Sequence, residues 1–330
     1  MCFKKYISFR SLHLHLSPKR YNSGEVIAMI LIMEQVLLLM LFAVAGYALC
    51  KTGKADAKNA KLLSTLEVYI FLPSTYFNTF LAQFNPQYLG EKYSLILGCA
   101  VILTAEALAA FGLARLLTKD RYQRSVFQYS LTVPNYGYMG FALAGGIFGQ
   151  EMLLNVMVFA MPVSLFTYTI GYCLLTKSRI SLKKLLNPVM ISMLCGAAAG
   201  FFGLSVPSVF ATFLAKAAAC MAPVSMLLTG MAISEYPLRS LITGKTTYIV
   251  AVLRLLVIPC TAAAALTLLK LEHLIIPALM VLAMPCGLNT IVFPKLVGED
   301  CRSGASLAFI TNLLCCITIP VCLFLFGGTA

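Results

Sequence analysis

From residue 29 onward the chain alternates long, unbroken apolar runs with short polar interruptions. Read by hydropathy, the runs fall at approximately 29–50, 61–83, 93–117, 123–149, 152–175, 188–206, 208–233, 246–270, 274–297 and 302–327. A helix crossing the hydrocarbon core needs roughly 20 apolar residues, so the pattern predicts an all-α integral membrane fold of about ten transmembrane helices. The second, fourth, seventh and ninth runs are counted although each contains Pro or Gly. An outer-membrane barrel would show weak alternation in ten-residue segments, which this pattern is not.

The polar interruptions sort by charge. Those after odd-numbered runs hold Lys51, Lys54, Lys58 and Lys61; Lys119, Arg121 and Arg124; Lys177, Arg179, Lys183 and Lys184; Arg239 and Lys245; Lys295 and Arg302. The opposite side has Lys92 and Lys270. Cationic loops stay in the cytoplasm, which predicts a multi-pass protein of the cytoplasmic membrane with both termini non-cytoplasmic. Residues 1–28 break the pattern, carrying Lys4, Lys5, Arg10, Lys19 and Arg20 on the side that would be exported. Two readings apply: a basic tail lying on the membrane surface, or an extension outside the fold, with the working chain starting at Met29. The second is preferred, because no apolar stretch precedes Val26 as a secretory signal would require.

A short basic linker, residues 176–187, divides the chain near its middle. The segments on either side, 29–175 and 188–330, each hold five runs. Pro73 and Pro223 are 150 positions apart, and Pro134 and Pro285 are 151 apart. Proline inside a helix removes a hydrogen bond and costs about 3 kcal/mol, so all four are predicted helix breaks. Because five is odd, the second copy must enter the membrane with opposite orientation, giving two inverted five-helix repeats, an arrangement that points to transport.

The fourth and ninth runs carry the candidate chemistry. Val133 to Gly140 reads VPNYGYMG and Met284 to Thr290 reads MPCGLNT. Unwound backbone at membrane depth is tolerated only in protein or beside a watery cavity. A broken helix presents unpaired N–H groups and about half a positive charge at its new N-terminus. Two such ends, with the amides of Asn135 and Asn289, would hold a small carboxylate without a buried cation.

Composition narrows the alternatives. The residues AVILMFWYC make up 60% of the 330 positions and charged residues 11%, with a mean hydropathy of +0.88, which leaves no sizeable soluble domain. The net charge of +13 lies mainly in the loops sorted to one side, so no nucleic-acid partner is implied. Twelve cysteines and three histidines are scattered, with no CxxC, so neither disulfides, a metal site nor another cofactor is indicated. Gly244-Lys245-Thr246 lacks the earlier glycine of a phosphate loop, since position 239 is Arg. HExxH and GxSxG are absent, so no enzyme chemistry is expected. Gly196 and Gly200 form a small-residue packing face.

Charged residues within the runs are candidates by default. Glu34 and Glu67 lie near run ends, where snorkelling explains them as well as function does. Glu106 lies centrally in its run and reads either as a proton-coupling group or as a neutral, hydrogen-bonded carboxyl. Lys216 and Arg254 either pair with acids or face a substrate path.

Val133 to Gly149 (VPNYGYMGFALAGGIFG), Met284 to Asp300 (MPCGLNTIVFPKLVGED), Leu228 to Ser234 (LTGMAIS) and the opening Glu34 to Lys54 together resemble the auxin efflux carrier family. This family includes plant carriers and prokaryotic permeases for malonate and malate. The resemblance runs from about Met29 to the end. It implies a scaffold domain, a transport domain with crossing fourth and ninth helices, elevator-like alternating access and a homodimer. It also implies a substrate carboxylate held at Asn135, Tyr136, Gly137, Cys286, Gly287, Asn289 and Thr290. Ala142 and Thr290 stand where family members carry proline, and the linker is far shorter than the loop of the larger plant carriers; these departures favour the prokaryotic permease branch. The function expected is secondary transport of small mono- or dicarboxylates, with H⁺ or Na⁺ as coupling ion. A sodium-coupled symporter of the bile-acid type and a non-transporting receptor are the alternatives.

Overall fold

The computed structural model describes residues 23–56, 60–179 and 187–327. Regular structure among the described residues is helical, in fourteen segments. These are α1 (Ser23–Lys51), α2 (60–83), α3 (Pro86–Leu117), α4 (Arg121–Thr132), α5 (136–148), α6 (Gln150–Phe159) and α7 (Met161–Thr176). The second half holds α8 (Pro188–Phe201), α9 (Ser208–Ser234), α10 (Leu238–Leu241), α11 (Lys245–Leu268), α12 (Glu272–Leu282), α13 (Asn289–Leu296) and α14 (Arg302–Phe326).

Local chemistry sets several starts. Asn85 and Asn187 accept the Tyr88 and Met190 N–H groups at 2.8 and 3.0 Å, each followed by Pro at the first helical position. Asp120 caps α4 by accepting the Gln123 N–H at 2.6 Å. In all three, a side-chain oxygen satisfies a donor with no carbonyl one turn before it.

Five helices are long and apolar enough to cross a membrane: those containing 32–51, 90–117, 208–234, 245–268 and 302–326. The α6–α7 pair, bent by 47°, would make a sixth. That bend corrects the continuous run predicted over 152–175. It falls at Ala160, just before Pro162, whose ring cannot donate to the turn preceding it. Leu116, Leu268 and Val209 are more than 80% exposed, which is sustainable where the solvent is lipid rather than water.

Two predicted breaks are absent. α9 runs uninterrupted through Pro223, and α2 continues past Pro73. In α2 a widened π-type turn at Glu67–Phe71 immediately precedes the proline, which cannot donate to the turn before it. Helix α1 begins at Ser23, six residues before the boundary predicted at Met29; the rest of the N-terminal extension lies outside the described residues. Most of the linker, residues 180–186, does as well.

Helices α1, α2, α8 and α9 pack on one another through glycine. A Cβ on Gly46 would lie 2.1 Å from the Leu227 carbonyl oxygen, and one on Gly196 would lie 2.7 Å from that of Phe77. Gly46 and Gly196 are 150 positions apart, as are Phe77 and Leu227, so α1 meets α9 as α8 meets α2. Gly200 approaches the Phe80 and Phe84 carbonyls, as the small-residue face predicts.

The polar loops separate by end. Lys177 pairs with Glu299 at 2.7 Å, Lys295 pairs with Glu235, and Lys177 stands over the Tyr122 ring. Those groups follow the third, fifth, seventh and ninth runs. At the other end, Ser94 bonds His273 at 3.0 Å and the Tyr88 hydroxyl donates to Asn155 at 2.8 Å.

Candidate functional site at the helix breaks

Pro134 and Pro285 mark the two true breaks. After Thr132 the chain leaves α4 in extended conformation and resumes as α5 at Tyr136. After Leu282 it leaves α12 and resumes as α13 at Asn289. The interruptions meet: the Asn135 N–H donates to the Pro285 carbonyl at 2.7 Å, and Pro134 and Cys286 form an isolated antiparallel bridge. Proline has no N–H with which to continue the helical ladder, so it suits the point where each helix stops. Close approach also requires Gly140, since a Cβ there would sit 2.3 Å from the Met280 carbonyl oxygen.

The four half-helix ends divide by polarity. The C-terminal ends of α4 and α12 converge on Arg254, which is fully buried in α11. One guanidinium nitrogen donates to the Leu131 carbonyl at 2.7 Å, the other to the Leu282 carbonyl at 2.7 Å, and Nε to the Met284 carbonyl at 3.4 Å. A cation at a helix C-terminus satisfies free carbonyls and complements the dipole. Its charge is balanced by Glu106 of α3, at 2.5 Å. Of the two pairings open to Arg254 in the sequence, the structure has the acid.

The N-terminal ends of α5 and α13 open instead on a cavity of about 40 Å³. Of the sequence-predicted site residues, Asn135, Tyr136, Gly137, Gly287 and Asn289 line it together with Pro134. Cys286 and Thr290 do not. The Cys286 N–H is bonded to the Thr311 hydroxyl at 3.0 Å, and the Thr290 hydroxyl donates to the Gly287 carbonyl at 2.8 Å; both are buried. Glu106 is one layer away, on Arg254. The Asn289 amide donates to the Tyr129 hydroxyl at 3.1 Å.

Several lining groups were not singled out in the sequence. Ser164, Thr167 and Tyr168 of α7 border the cavity with Leu72 and Tyr76 of α2 and Val189 of α8. The Tyr136 hydroxyl shares a 2.8 Å hydrogen bond with Ser164. The i, i+3, i+4 spacing of Ser164, Thr167 and Tyr168 puts them on one helix face, a signal legible in the run SLFTYT. Glu34 and Lys216 are exposed, whereas Glu67 is completely buried, which rules out snorkelling for Glu67.

Comparison with known proteins bears on this geometry. A family model described as "Membrane transport protein" matches residues 31–184 and 178–323. The chain is 24% identical over 301 residues to an uncharacterized transporter of Methanocaldococcus jannaschii, covering 88% of this chain and 97% of that one. It is 23% identical over 294 residues to an uncharacterized transporter of Methanothermobacter thermautotrophicus, covering 87% and 96%.

Proposed function

This chain belongs to the membrane transport protein family that its motifs resemble, that of the auxin efflux carriers, and from that premise we propose that it is a secondary transporter of small organic anions, mono- or dicarboxylates. Under this reading the carboxylate is held where α5 and α13 begin. The observation that carries the proposal is the meeting of the two breaks at the Asn135–Pro285 hydrogen bond. It leaves two positive half-helix ends and two asparagine amides around one cavity, while the only buried guanidinium among the described residues is turned to the opposite ends.

The cavity volume fits a head group rather than a whole substrate. About 40 Å³ accommodates a few water-sized groups at roughly 10–15 Å³ each, comparable to the three heavy atoms of a carboxylate. The remainder of a dicarboxylate requires the walls to separate. One wall is the crossover and α7; the other is Leu72, Tyr76 and Val189 of α2 and α8. Movement of the crossover group against the α1–α2–α8–α9 group would open it, which is the elevator motion we propose. The shared offset of 150 in the Gly46–Leu227 and Gly196–Phe77 contacts supports an inverted-repeat frame of ten spans, with α4–α5 and α12–α13 each as one broken span.

The test is uptake and counterflow of labelled malonate, malate, succinate and indole acetate in proteoliposomes. Asn135→Ala and Asn289→Ala are expected to weaken the transported acid about ten- to hundredfold, the range of a lost hydrogen bond to a charged group. Unchanged uptake in both variants rejects the site, and binding without counterflow identifies a receptor. Uptake that scales with sodium but not with a pH gradient identifies the symporter alternative.

A further inference from the structure

Glu67 has no role in the site described above. It lies in the widened turn Glu67–Phe71 of α2, its relative exposure is 0%, and neither carboxyl oxygen has a hydrogen-bond partner among the described residues. An ionised carboxylate in that position would be sequestered from water with no donor and no counter-charge, the arrangement that buried charges avoid by pairing or by taking a proton.

Among the described residues the surroundings offer no cation. The Glu67 turn packs against α9 and α8. The titratable side chains of α9 and α8 within the membrane segment, Lys216, Cys220 and Cys195, are on exposed faces. On α2 itself, Tyr69 is exposed and Tyr76 is buried beside the cavity. From the crossover side, the Tyr138 phenol of α5 is in electrostatic reach of Glu67 and also lines the cavity. Glu106, the other acid buried within the membrane segment, is occupied by Arg254. Metal-type clustering is also absent: no group of three or more His, Cys, Asp or Glu side chains converges anywhere among the described residues, so Glu67 is a single carboxyl without a donor.

We propose that Glu67 is a proton-binding site coupled to transport: protonated while α2 is packed against the crossover, and releasing its proton to water when the two helix groups separate. This coupling role rests on the transport reading above. The step moves one H⁺ between water and one carboxylate oxygen, with no other bond changed. A protonated Glu67 adds no negative charge to the closed state in which an anion is held, so anion and proton would cross together.

Infrared difference spectroscopy of the full-length protein in lipid at neutral pH tests the protonation without any substrate. The C=O stretch of a protonated carboxyl is expected in the wild type, shifted in D₂O, lost in Glu67→Gln and retained in Glu106→Gln. A spectrum unchanged by Glu67→Gln overturns the proposal, as does a carboxylate band that responds to added sodium. Succinate-loaded proteoliposomes test the coupling: Glu67→Gln, which mimics the neutral acid, is expected to keep counterflow but lose all stimulation by an inward proton gradient. Wild-type stimulation persisting in Glu67→Gln, or absent from a wild type that shows counterflow, overturns it. No counterflow of any acid in the wild type counts against the anion reading instead, and the infrared band still decides Glu67.

Discussion

Arg254 and Glu106, 148 positions apart in the sequence, form a buried ion pair 2.5 Å long, with side-chain exposures of 0% and 4%. The pair joins α3 of the first half to α11 of the second, and the guanidinium continues to the ends of α4 and α12. It therefore holds both helix breaks in position from behind the cavity.

Removing one partner of this pair strands a charge inside the protein, for which the loss in stability is about 3–5 kcal/mol. Arg254→Met is expected to lower the melting temperature of the purified protein more than Glu106→Gln, because it also abandons three carbonyls. The double variant is expected to lose less than the sum of the two. Thermal unfolding in detergent, run as a double-mutant cycle, measures the coupling; strict additivity would show that the pair is not formed.

Two glycines near the first break should respond in opposite ways. Gly140→Ala places a methyl group 2.3 Å from the Met280 carbonyl oxygen and is expected to reduce folded yield sharply. Gly137→Ala meets no atom within 4 Å and is expected to leave the fold intact or slightly stabilised, by up to about 1 kcal/mol from helix propensity. Size-exclusion yield and melting temperature compare them, and equal behaviour would contradict the crossover packing.

If the halves are inverted copies, equivalent contacts should be equivalent in energy. Gly46→Leu and Gly196→Leu each push a side chain into a facing helix backbone. Both are expected to destabilise by a similar amount, while Gly53→Leu, in open space at φ +71°, acts only through local backbone strain. Unfolding midpoints in a common detergent read the comparison; a large effect from only one of the first pair would weaken the repeat.

The loop ion pairs should matter little. Lys177 and Lys295 are more than half exposed in their pairs with Glu299 and Glu235, and such pairs contribute about 0–1 kcal/mol. Lys295→Ala is expected to shift the melting temperature negligibly, and less still at high salt. A loss comparable to that of Arg254→Met would mean the loops brace the fold.

Helical class, most segment limits and the two sets of cationic loops were legible in the sequence, because they follow from local rules. Lipid obliges each segment to satisfy its own backbone, so long apolar runs become helices, and Pro134 and Pro285 deny a donor wherever they stand. Which prolines break a helix was not local: Pro73 follows a widened turn and Pro223 lies inside a continuous helix, whereas Pro134 and Pro285 stand where two chain interruptions meet. The burial of Glu67, the choice of Glu106 by Arg254, and the Ser164, Thr167 and Tyr168 face of α7 arise between segments far apart in the chain. A residue type and its hydropathy state what a side chain can bond, whereas the identity of its partner depends on which helix faces which, and that was decided only when α4–α5 and α12–α13 were brought together at their breaks.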